Sequence, residues 1–414
     1  MKVFQFLIVC SIVVVALSCS PVPSTEPVPT EAATNVSPSI DFHILDFSEA
    51  RSHSLAAGPD GSLYLIFGHD HSLFVSRSTD GGQSFGEVLL ASGERLVHVL
   101  PIEHPAIAVD SEGQVHIAWL EMPPDFNGAE VWYAVSRNGG ETFQPGQLVA
   151  NEPEGEVAMV QVALDSDGHP FLMWLNESEL KFARATDTGS TFSEAISIGD
   201  GSCECCQPQA VALDDNIHIA YRSLETGSET GDIRDIVMIS SADKGHTFGN
   251  IARVSDAHWY LPACPIAGPS LAVHDGRLFV AWMDGRFEPA GTFSRGDIWL
   301  SSSQDGGKTF SANIRMNSEQ IMHHTLPTLA IGPGDRIHIA WEAHHQSTRE
   351  AFLYYAFSDD NGQTFTFPQV IADNVDPARG NPGKPKMVVD AQGHITLAWL
   401  DRLGVRLATW TDSK

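Results

Sequence analysis

Short apolar segments recur along this chain in pairs, each pair joined by a Gly- or Asp-containing turn. Ala106–Val109 followed by 115–119 is one such pair, and 271–273 followed by 278–282 is another. The second segments of seven pairs end at aromatic residues: Phe67, Trp119, Trp174, Tyr221, Trp282, Trp341 and Trp399. Short apolar runs bounded by turn residues are typical of β-strands. The pattern therefore predicts an all-β chain built from seven similar units.

An octapeptide repeats between these pairs. Its first copy is Ser-Thr-Asp-Gly-Gly-Gln-Ser-Phe at 78–85. The five other copies occupy 136–143, 185–192, 241–248, 303–310 and 358–365. An acidic residue or Asn can hydrogen-bond its own turn, Gly permits a positive φ, and the final Phe can pack on apolar surface. A period of roughly 50–60 residues indicates a repeat fold whose units bury their faces against one another.

These octapeptides resemble the Asp-box, or BNR repeat, of the sialidase superfamily. The resemblance covers nearly all of the chain after the first forty residues, and it implies a β-propeller of four-stranded blades. Seven strand pairs favour seven blades; six, as in sialidases, is the alternative. The seventh unit lacks a fourth strand, which residues 41–47 could supply by pairing with 404–410 and so closing the ring. The propeller is expected to span 40–414.

The start of the chain has the pattern of an export signal. A short basic end, an apolar run and small residues precede Cys19. Residues 16–19 resemble the lipobox of bacterial lipoproteins, which implies a signal peptide at 1–18 and lipidation of Cys19; ordinary cleavage with release is the alternative. Residues 19–39 are rich in Pro, Ser, Thr and Glu, and are expected to form a flexible tether. These features predict a lipid-anchored protein of the bacterial envelope, facing the periplasm or attached to the outer membrane.

The charge of the chain narrows the classes of partner. The formal net charge is −28, with 43% hydrophobic and 18% charged residues. Such an excess of negative charge argues against nucleic acid and against an anionic membrane surface as partners. A glycan or another envelope protein remains an expected partner, beside the membrane contacted through the lipid.

The mature chain has four cysteines, in two loops that enter neighbouring units: Cys203, Cys205, Cys206 and Cys264. One interpretation is disulfides, with a Cys206–Cys264 staple and either Cys203–Cys205 or a vicinal Cys205–Cys206 bond. Another is a soft metal site for copper or zinc, because thiolates bind such ions and imidazoles can complete the set. The imidazoles would come from His323, His324 or His104. A redox-active thiol pair is the third interpretation.

A second candidate set follows the second strands of several units: Arg222, Arg286 and Arg402. Three converging guanidinium groups could clamp a carboxylate. The sialidase resemblance implies such a clamp, with a Tyr nucleophile, a Glu and an Asp acid, for which the candidates are Tyr221 or Tyr260, Glu342 and Asp284. The family's Phe/Tyr-Arg-Ile-Pro motif is absent from this sequence. In the alternative interpretation, the arginines pair with Asp284, Asp401 and neighbouring acids and tie loops together.

Three functions are consistent with these patterns. The first is an exported propeller that binds a ligand or soft metal ion through its cysteine and histidine residues. The second is a sialidase-type glycoside hydrolase that uses the arginine set. The third is a scaffold that docks another envelope protein.

Overall fold

The structure is a computed structural model, and it describes residues 41–44, 50–99, 102–125, 127–228, 231–292, 294–318, 321–348, 350–373, 383–401 and 404–411. The predicted signal peptide, Cys19, the tether and Arg402 lie outside these residues. None of the described segments forms a helix long and apolar enough to cross a membrane.

The described residues form thirty-one strands and one short 3₁₀ turn at Pro333–Asp335. In chain order the strands are β1 (Asp41–Ile44), β2 (Ser52–Ala57), β3 (Leu63–His69), β4 (Ser72–Ser78), β5 (Leu89–Leu90), β6 (Ala106–Val109), β7 (Val115–Glu121), β8 (Ala129–Ser136), β9 (Gln147–Glu152), β10 (Val157–Leu164), β11 (Pro170–Asn176), β12 (Glu179–Arg184), β13 (Ile196–Gly199), β14 (Gln209–Leu213), β15 (Asn216–Arg222), β16 (Glu225–Ser228), β17 (Gly231–Ile233), β18 (Ile236–Ser241), β19 (Ala252–Arg253), β20 (Tyr260–Leu261), β21 (Ser270–His274), β22 (Arg277–Asp284), β23 (Asp297–Ser303), β24 (Ile314–Arg315), β25 (Met322–Ile331), β26 (Ile337–His345), β27 (Ala351–Ser358), β28 (Gln369–Ala372), β29 (Lys386–Val389), β30 (His394–Asp401) and β31 (Gly404–Thr411).

Most of these strands belong to four-stranded antiparallel sheets. In chain order the sheets are sheet 1 (β2–β5), sheet 2 (β6–β9), sheet 3 (β10–β13), sheet 4 (β14, β15, β18 and β19), sheet 5 (β21–β24), sheet 6 (β25–β28) and sheet 7 (β29–β31 with β1). In sheet 7 the first strand of the chain pairs with the last, Asp41 opposite Thr409. A small additional sheet, β16-β17-β20, is inserted within and after sheet 4.

The first strands of the seven sheets contact one another in a cycle, β2 to β6, β10, β14, β21, β25, β29 and back to β2. They surround a channel of about 420 Å³ that is lined by residues of every sheet. The apolar cores lie between neighbouring sheets, and the second strands supply many of their fully buried side chains, such as Trp119, Trp174, Trp282 and Trp341. The all-β propeller prediction is confirmed.

The octapeptides form compact turns between the third and fourth strands. In the first copy, Ser78 Oγ accepts a hydrogen bond from Gly82 N at 2.9 Å, and Asp80 Oδ1 accepts one from Ser84 N at 2.9 Å. Gly82 has a φ of +85°, and a Cβ there would meet Thr409 of sheet 7 within 3.1 Å. Glycine is therefore needed both for the left-handed backbone and for the close approach to the preceding sheet.

Candidate functional site

The cysteines lie in the loops that enter sheets 4 and 5. Cys206 N donates to Cys203 O at 3.1 Å, which makes residues 203–206 a turn that sets these two side chains next to each other. Cys203 and Cys206 are buried free thiols, and Cys205 is disulfide-bonded to Cys264. The predicted staple between neighbouring sheets is therefore present, but the prediction that Cys206 forms it was wrong, as were Cys203–Cys205 and Cys205–Cys206. The turn places the Cys206 side chain against Cys203, so that Cys205 is the residue that bonds Cys264 in the next loop.

All four sulfur atoms lie within 4.8 Å of one another. Cys203 Sγ is central: it lies 2.9 Å from Cys206 Sγ, 3.7 Å from Cys205 Sγ and 3.9 Å from Cys264 Sγ. Among the described residues, no histidine belongs to this group. The sulfur cluster, as we call Cys203, Cys205, Cys206 and Cys264, thus brings four sulfur atoms to one point, two as free thiols and two joined in the disulfide.

Two buried arginines polarise the sulfur cluster. Arg234 Nη1 donates to Cys203 Sγ at 3.0 Å. The hydrogen bond from Cys206 and the charges of Arg222 and Arg234 lower the pKa of Cys203 to about 7, against the opposing effect of burial. Burial and the same contact with Cys203 raise the pKa of Cys206 well above its ordinary value. Cys203 is therefore the thiol that ionises first, as pH rises through about 7, and a thiolate is the form that binds metals or attacks disulfides.

His323 and His324 lie elsewhere, in β25 of sheet 6. His323 Nδ1 accepts a hydrogen bond from Gly296 N at 2.9 Å, and His324 Nδ1 accepts one from Trp341 Nε1 at 2.9 Å. Burial lowers the pKa of His323 to about 4 and that of His324 to about 3. Both rings are neutral near pH 7, but these contacts hold them against sheets 5 and 6, outside the sulfur cluster. The two histidines do not complete the predicted ligand set.

Arg222 is buried, and its side chain binds backbone rather than open space. Its Nε donates to Ala267 O at 2.9 Å, its Nη1 to Arg234 O at 2.6 Å and its Nη2 to Met283 O at 2.7 Å. These three bonds join the end of β15 to the loop before β21, to the segment between β17 and β18, and to the end of β22. The contacts favour the interpretation in which the arginine ties loops together.

Arg286 is held in a similar way by side chains. Its Nε and Nη2 donate hydrogen bonds to the Asp284 carboxylate at 2.9 and 2.7 Å, and its Nη1 donates to Asp256 Oδ1 at 2.7 Å. Its Cζ lies 3.8 Å from the centroid of the Trp299 ring. Asp284 also accepts from Trp282 Nε1 at 2.8 Å, so this carboxylate is bound from two sides. These contacts favour the interpretation in which Arg286 and Asp284 tie loops together.

Tyr221 and Glu342 are also buried but are not hydrogen-bonded to each other. The Tyr221 hydroxyl has no hydrogen-bond partner in the described part of the chain, and burial raises its pKa to about 12. This hydroxyl lies close to Gly199, in the outermost strand of sheet 3. Glu342 contacts His344 Nε2. The nucleophile and its activating carboxylate, as the resemblance implied them, are therefore not assembled by these two residues.

Two lysines at the channel mouth were not predicted from the sequence, which indicated only their neighbour His104, as a candidate metal ligand. His104, Lys384 and Lys386 line one cavity there, together with Cys205 and Ser270. Burial lowers the pKa of Lys384 to about 7 and that of Lys386 to about 8. A signal was available: Lys386 opens an innermost strand that otherwise reads Met387-Val388-Val389. A lysine at such a position is unusual, because burying an ammonium group is costly.

Comparisons with known proteins identify the fold. No family model matches the chain, and no curated protein matches it. Among solved structures, an ulvan lyase of polysaccharide lyase family PL25 has a TM-score of 0.54 at 13% identity, covering 87% of this chain and 94% of the lyase. The Penicillium chrysogenum α-L-arabinanase has a TM-score of 0.52 at 12% identity, covering 88% of this chain and 95% of the arabinanase.

A sialidase is also among these matches. The Hadza microbial sialidase Hz136 has a TM-score of 0.50 at 13% identity; the match covers 88% of this chain but 66% of the sialidase. These neighbours share an architecture while acting on different polysaccharides or glycans, as their names state, and the identities are too low to carry an activity across. The chain therefore has a sialidase-like β-propeller fold.

Proposed function

We propose that this chain is an exported, lipid-anchored propeller that binds one soft metal ion, copper or zinc, through the sulfur cluster. The observation that carries the proposal is the convergence of all four sulfurs within 4.8 Å. A staple between two loops needs only two cysteines. Four converging on one point is the donor set of a tetrahedral thiolate site.

The spacing of the sulfurs supports this geometry. With metal–sulfur bonds of about 2.3 Å, the ligands of a tetrahedral site are about 3.8 Å apart. Cys203 Sγ lies 3.7 Å from Cys205 Sγ and 3.9 Å from Cys264 Sγ. Two other pairs are closer: Cys206 Sγ would have to rotate away from its contact of 2.9 Å with Cys203 Sγ, and the bonded Cys205 and Cys264 sulfurs would have to separate on reduction.

The disulfide and the metal site are two states of the same cluster. Binding through four thiolates requires the Cys205–Cys264 bond to gain two electrons, which a dithiol reductant supplies by becoming a disulfide itself. The low pKa of Cys203 and the positive charges of Arg222 and Arg234 favour accumulation of thiolate charge at this point. The oxidised state keeps the loops stapled; the reduced state holds the metal.

The test is metal content and thiol count of the whole chain, purified without oxygen after treatment with a dithiol. We expect about one copper or zinc ion per chain and few titratable thiols. Cys206→Ser should lose most of the metal. Cys19→Ser, the matched control, should retain it while losing membrane attachment. Absence of metal in the reduced wild-type protein, with four titratable thiols in the 203–264 region, would contradict the proposal.

The sialidase-type hydrolase stays a second hypothesis with less support. Arg222, Arg286 and Asp284 are engaged by other groups of the protein, and Arg402 lies outside the described residues. A glycan could still be a ligand of the channel without being cleaved there.

A further inference from the structure

A cluster of basic side chains at the channel mouth has no role in metal binding. Lys386, at the start of β29, lines both the mouth cavity and the channel beneath it. Lys384 and His104 line the same cavity, and the His53 ring lies 5.8 Å from that of His104. Two lysines and a histidine therefore line one opening, with His53 behind His104, in a chain whose net charge is −28. Burial lowers the pKa of both histidines, so the positive charge at the opening comes from the lysines.

Acids of the protein do not neutralise this cluster fully. In the described part of the chain, neither lysine is hydrogen-bonded to or ion-paired with a carboxylate. Burial lowers the pKa of Lys384, and the charges of Glu103 and Glu342 partly oppose this effect. Burial alone accounts for the lowered pKa of Lys386. The groups that face these lysines from the surrounding elements are His53, Glu103, His104, Cys206 and Glu342.

Among the described residues, Lys384 is buried, with two carboxylates near it, and Lys386 is half-buried without one. Two ammonium groups that line one cavity, neither of them in an ion pair with a described residue, favour a ligand of opposite charge there. Ser270 adds a neutral donor at the same opening: its Oγ accepts from Leu329 N at 2.9 Å, which leaves its O–H to donate. The channel below, at about 420 Å³, has room for a small ligand such as a monosaccharide.

We propose that the channel mouth binds a small ligand through a carboxylate or sulfate group, held by Lys386 and Lys384 with Ser270 as a neutral donor. This site is separate from the sulfur cluster, although Cys205 forms part of its wall. Its ligand would enter the channel with the anionic group at the mouth, where the two ammonium groups meet it.

The binding assay uses three probes on the whole wild-type chain at constant ionic strength: D-glucuronate, neutral D-glucose and inorganic sulfate. Glucuronate should bind measurably more tightly than glucose at pH 6.5. Binding of glucuronate identifies a carboxylate-bearing sugar, and binding of sulfate alone identifies a sulfate ligand. If neither anion binds, or if glucose binds as well as glucuronate, the proposal is wrong.

The pH dependence gives a check that needs no variant. Lys386 is protonated below its pKa of about 8 and neutral above it. Anion binding should therefore weaken at least tenfold between pH 6.5 and pH 9.5, as the charge is lost. Binding that is unchanged across this interval would overturn a role for this lysine.

Substitution separates a binding role from a structural one. Lys386→Met removes the charge but keeps much of the side-chain volume; it should weaken anion binding at least tenfold while raising the unfolding temperature of the free protein. Lys308→Met, at an exposed lysine of an octapeptide turn, is the matched control and should leave binding within twofold. Equal binding by the Lys386→Met variant and the wild type would refute the proposal.

Discussion

The octapeptide turns and the channel-facing loops differ in where their charged side chains find partners. In the turns, Asp80 and Asp243 are bound by residues of their own octapeptide, and hydrogen bonds from Ser84 and Thr247 lower the pKa of each to about 2. In the loops, burial dominates, and the partners of a group such as Arg222 lie up to 61 residues away. The hydrogen bonds of the turns recur wherever the octapeptide recurs. The contacts of the loops form only when the sheets have assembled around the channel.

This difference explains why the turns identify a fold and the loops must carry the function. A turn that satisfies its own polar groups can recur in every sheet without reference to a ligand. The pKa of Cys203 depends on Cys206, on burial and on the charges of Arg222 and Arg234, and that of Lys386 depends on burial, so both groups acquire their properties from the assembled channel. Cysteine and lysine side chains with shifted pKa values around one opening of the channel are typical of a functional surface.

The largest expected effect tests whether Arg222 is a structural tie. Arg222→Met would leave three carbonyl oxygens without their donor, in the interior where each lost partner costs about 1–3 kcal/mol. We expect the free energy of unfolding to fall by about 3–5 kcal/mol, measured by urea denaturation.

The control for this substitution is Arg137→Met, at an exposed arginine whose Nη1 donates to Gln114 Oε1. Its effect should stay within about 0.5 kcal/mol. The opposite result would be a change in the free energy of unfolding no larger than that of the control, together with loss of sugar release from a sialoside. That result would show that Arg222 binds a substrate and would support the hydrolase hypothesis.

The turns and strand pairs could be predicted from the sequence, whereas most contacts of the loops could not. The octapeptides and the strand pairs ending at residues such as Trp119 and Trp282 predicted the propeller, because their signals are local and periodic. The loop holding the Cys205 partner was also predicted, since the cysteines precede the first strands of neighbouring sheets.

The details of the site could not be predicted in the same way. Whether Cys205 or Cys206 faces Cys264 depends on a turn that directs one thiol inward and the other outward. Arg222 was compatible both with a ligand clamp and with a tie between loops, because its three carbonyl partners cannot be identified from the sequence. The position of Lys386 and Lys384 at the channel mouth was not predicted, because it follows from the ring of first strands and not from their neighbours in the chain.

A glycine substitution tests the packing of the turns at an intermediate magnitude. Gly245 has a φ of +80°, and a Cβ there would lie 2.6 Å from the ring of Phe182, which is buried in sheet 3. Gly245→Ala should therefore lower the free energy of unfolding by about 2–4 kcal/mol, combining backbone strain with overpacking.

Gly276→Ala isolates the backbone contribution to that loss. Gly276 has a similar φ of +71°, but a Cβ there would meet nothing within 4 Å. This control should cost about 1 kcal/mol. Equal losses at the two sites, measured by the same denaturation, would show that the turn does not press on the preceding sheet.

The smallest effect concerns the charge of a single turn. Because the folded pKa of Asp80 is about 2, below the ordinary value of 3.8, its contribution to stability is present above pH 4 and is lost as pH falls through 2. Asp80→Asn should lower stability by less than about 1 kcal/mol at pH 6, since the group is exposed to solvent, and the difference from wild type should shrink toward pH 2.

The second octapeptide provides the reverse substitution. Asn138 occupies the position of Asp80 and already supports its turn, accepting from Thr142 N at 3.0 Å and donating to Thr142 Oγ1 at 3.0 Å. Asn138→Asp should therefore introduce the acid-dependent contribution that Asp80→Asn removes, and urea denaturation at pH 6 and pH 2 can compare the two. If neither variant changes the pH dependence, the turn is held by its hydrogen-bond geometry alone, and the carboxylate of the repeat contributes no charge-dependent stability.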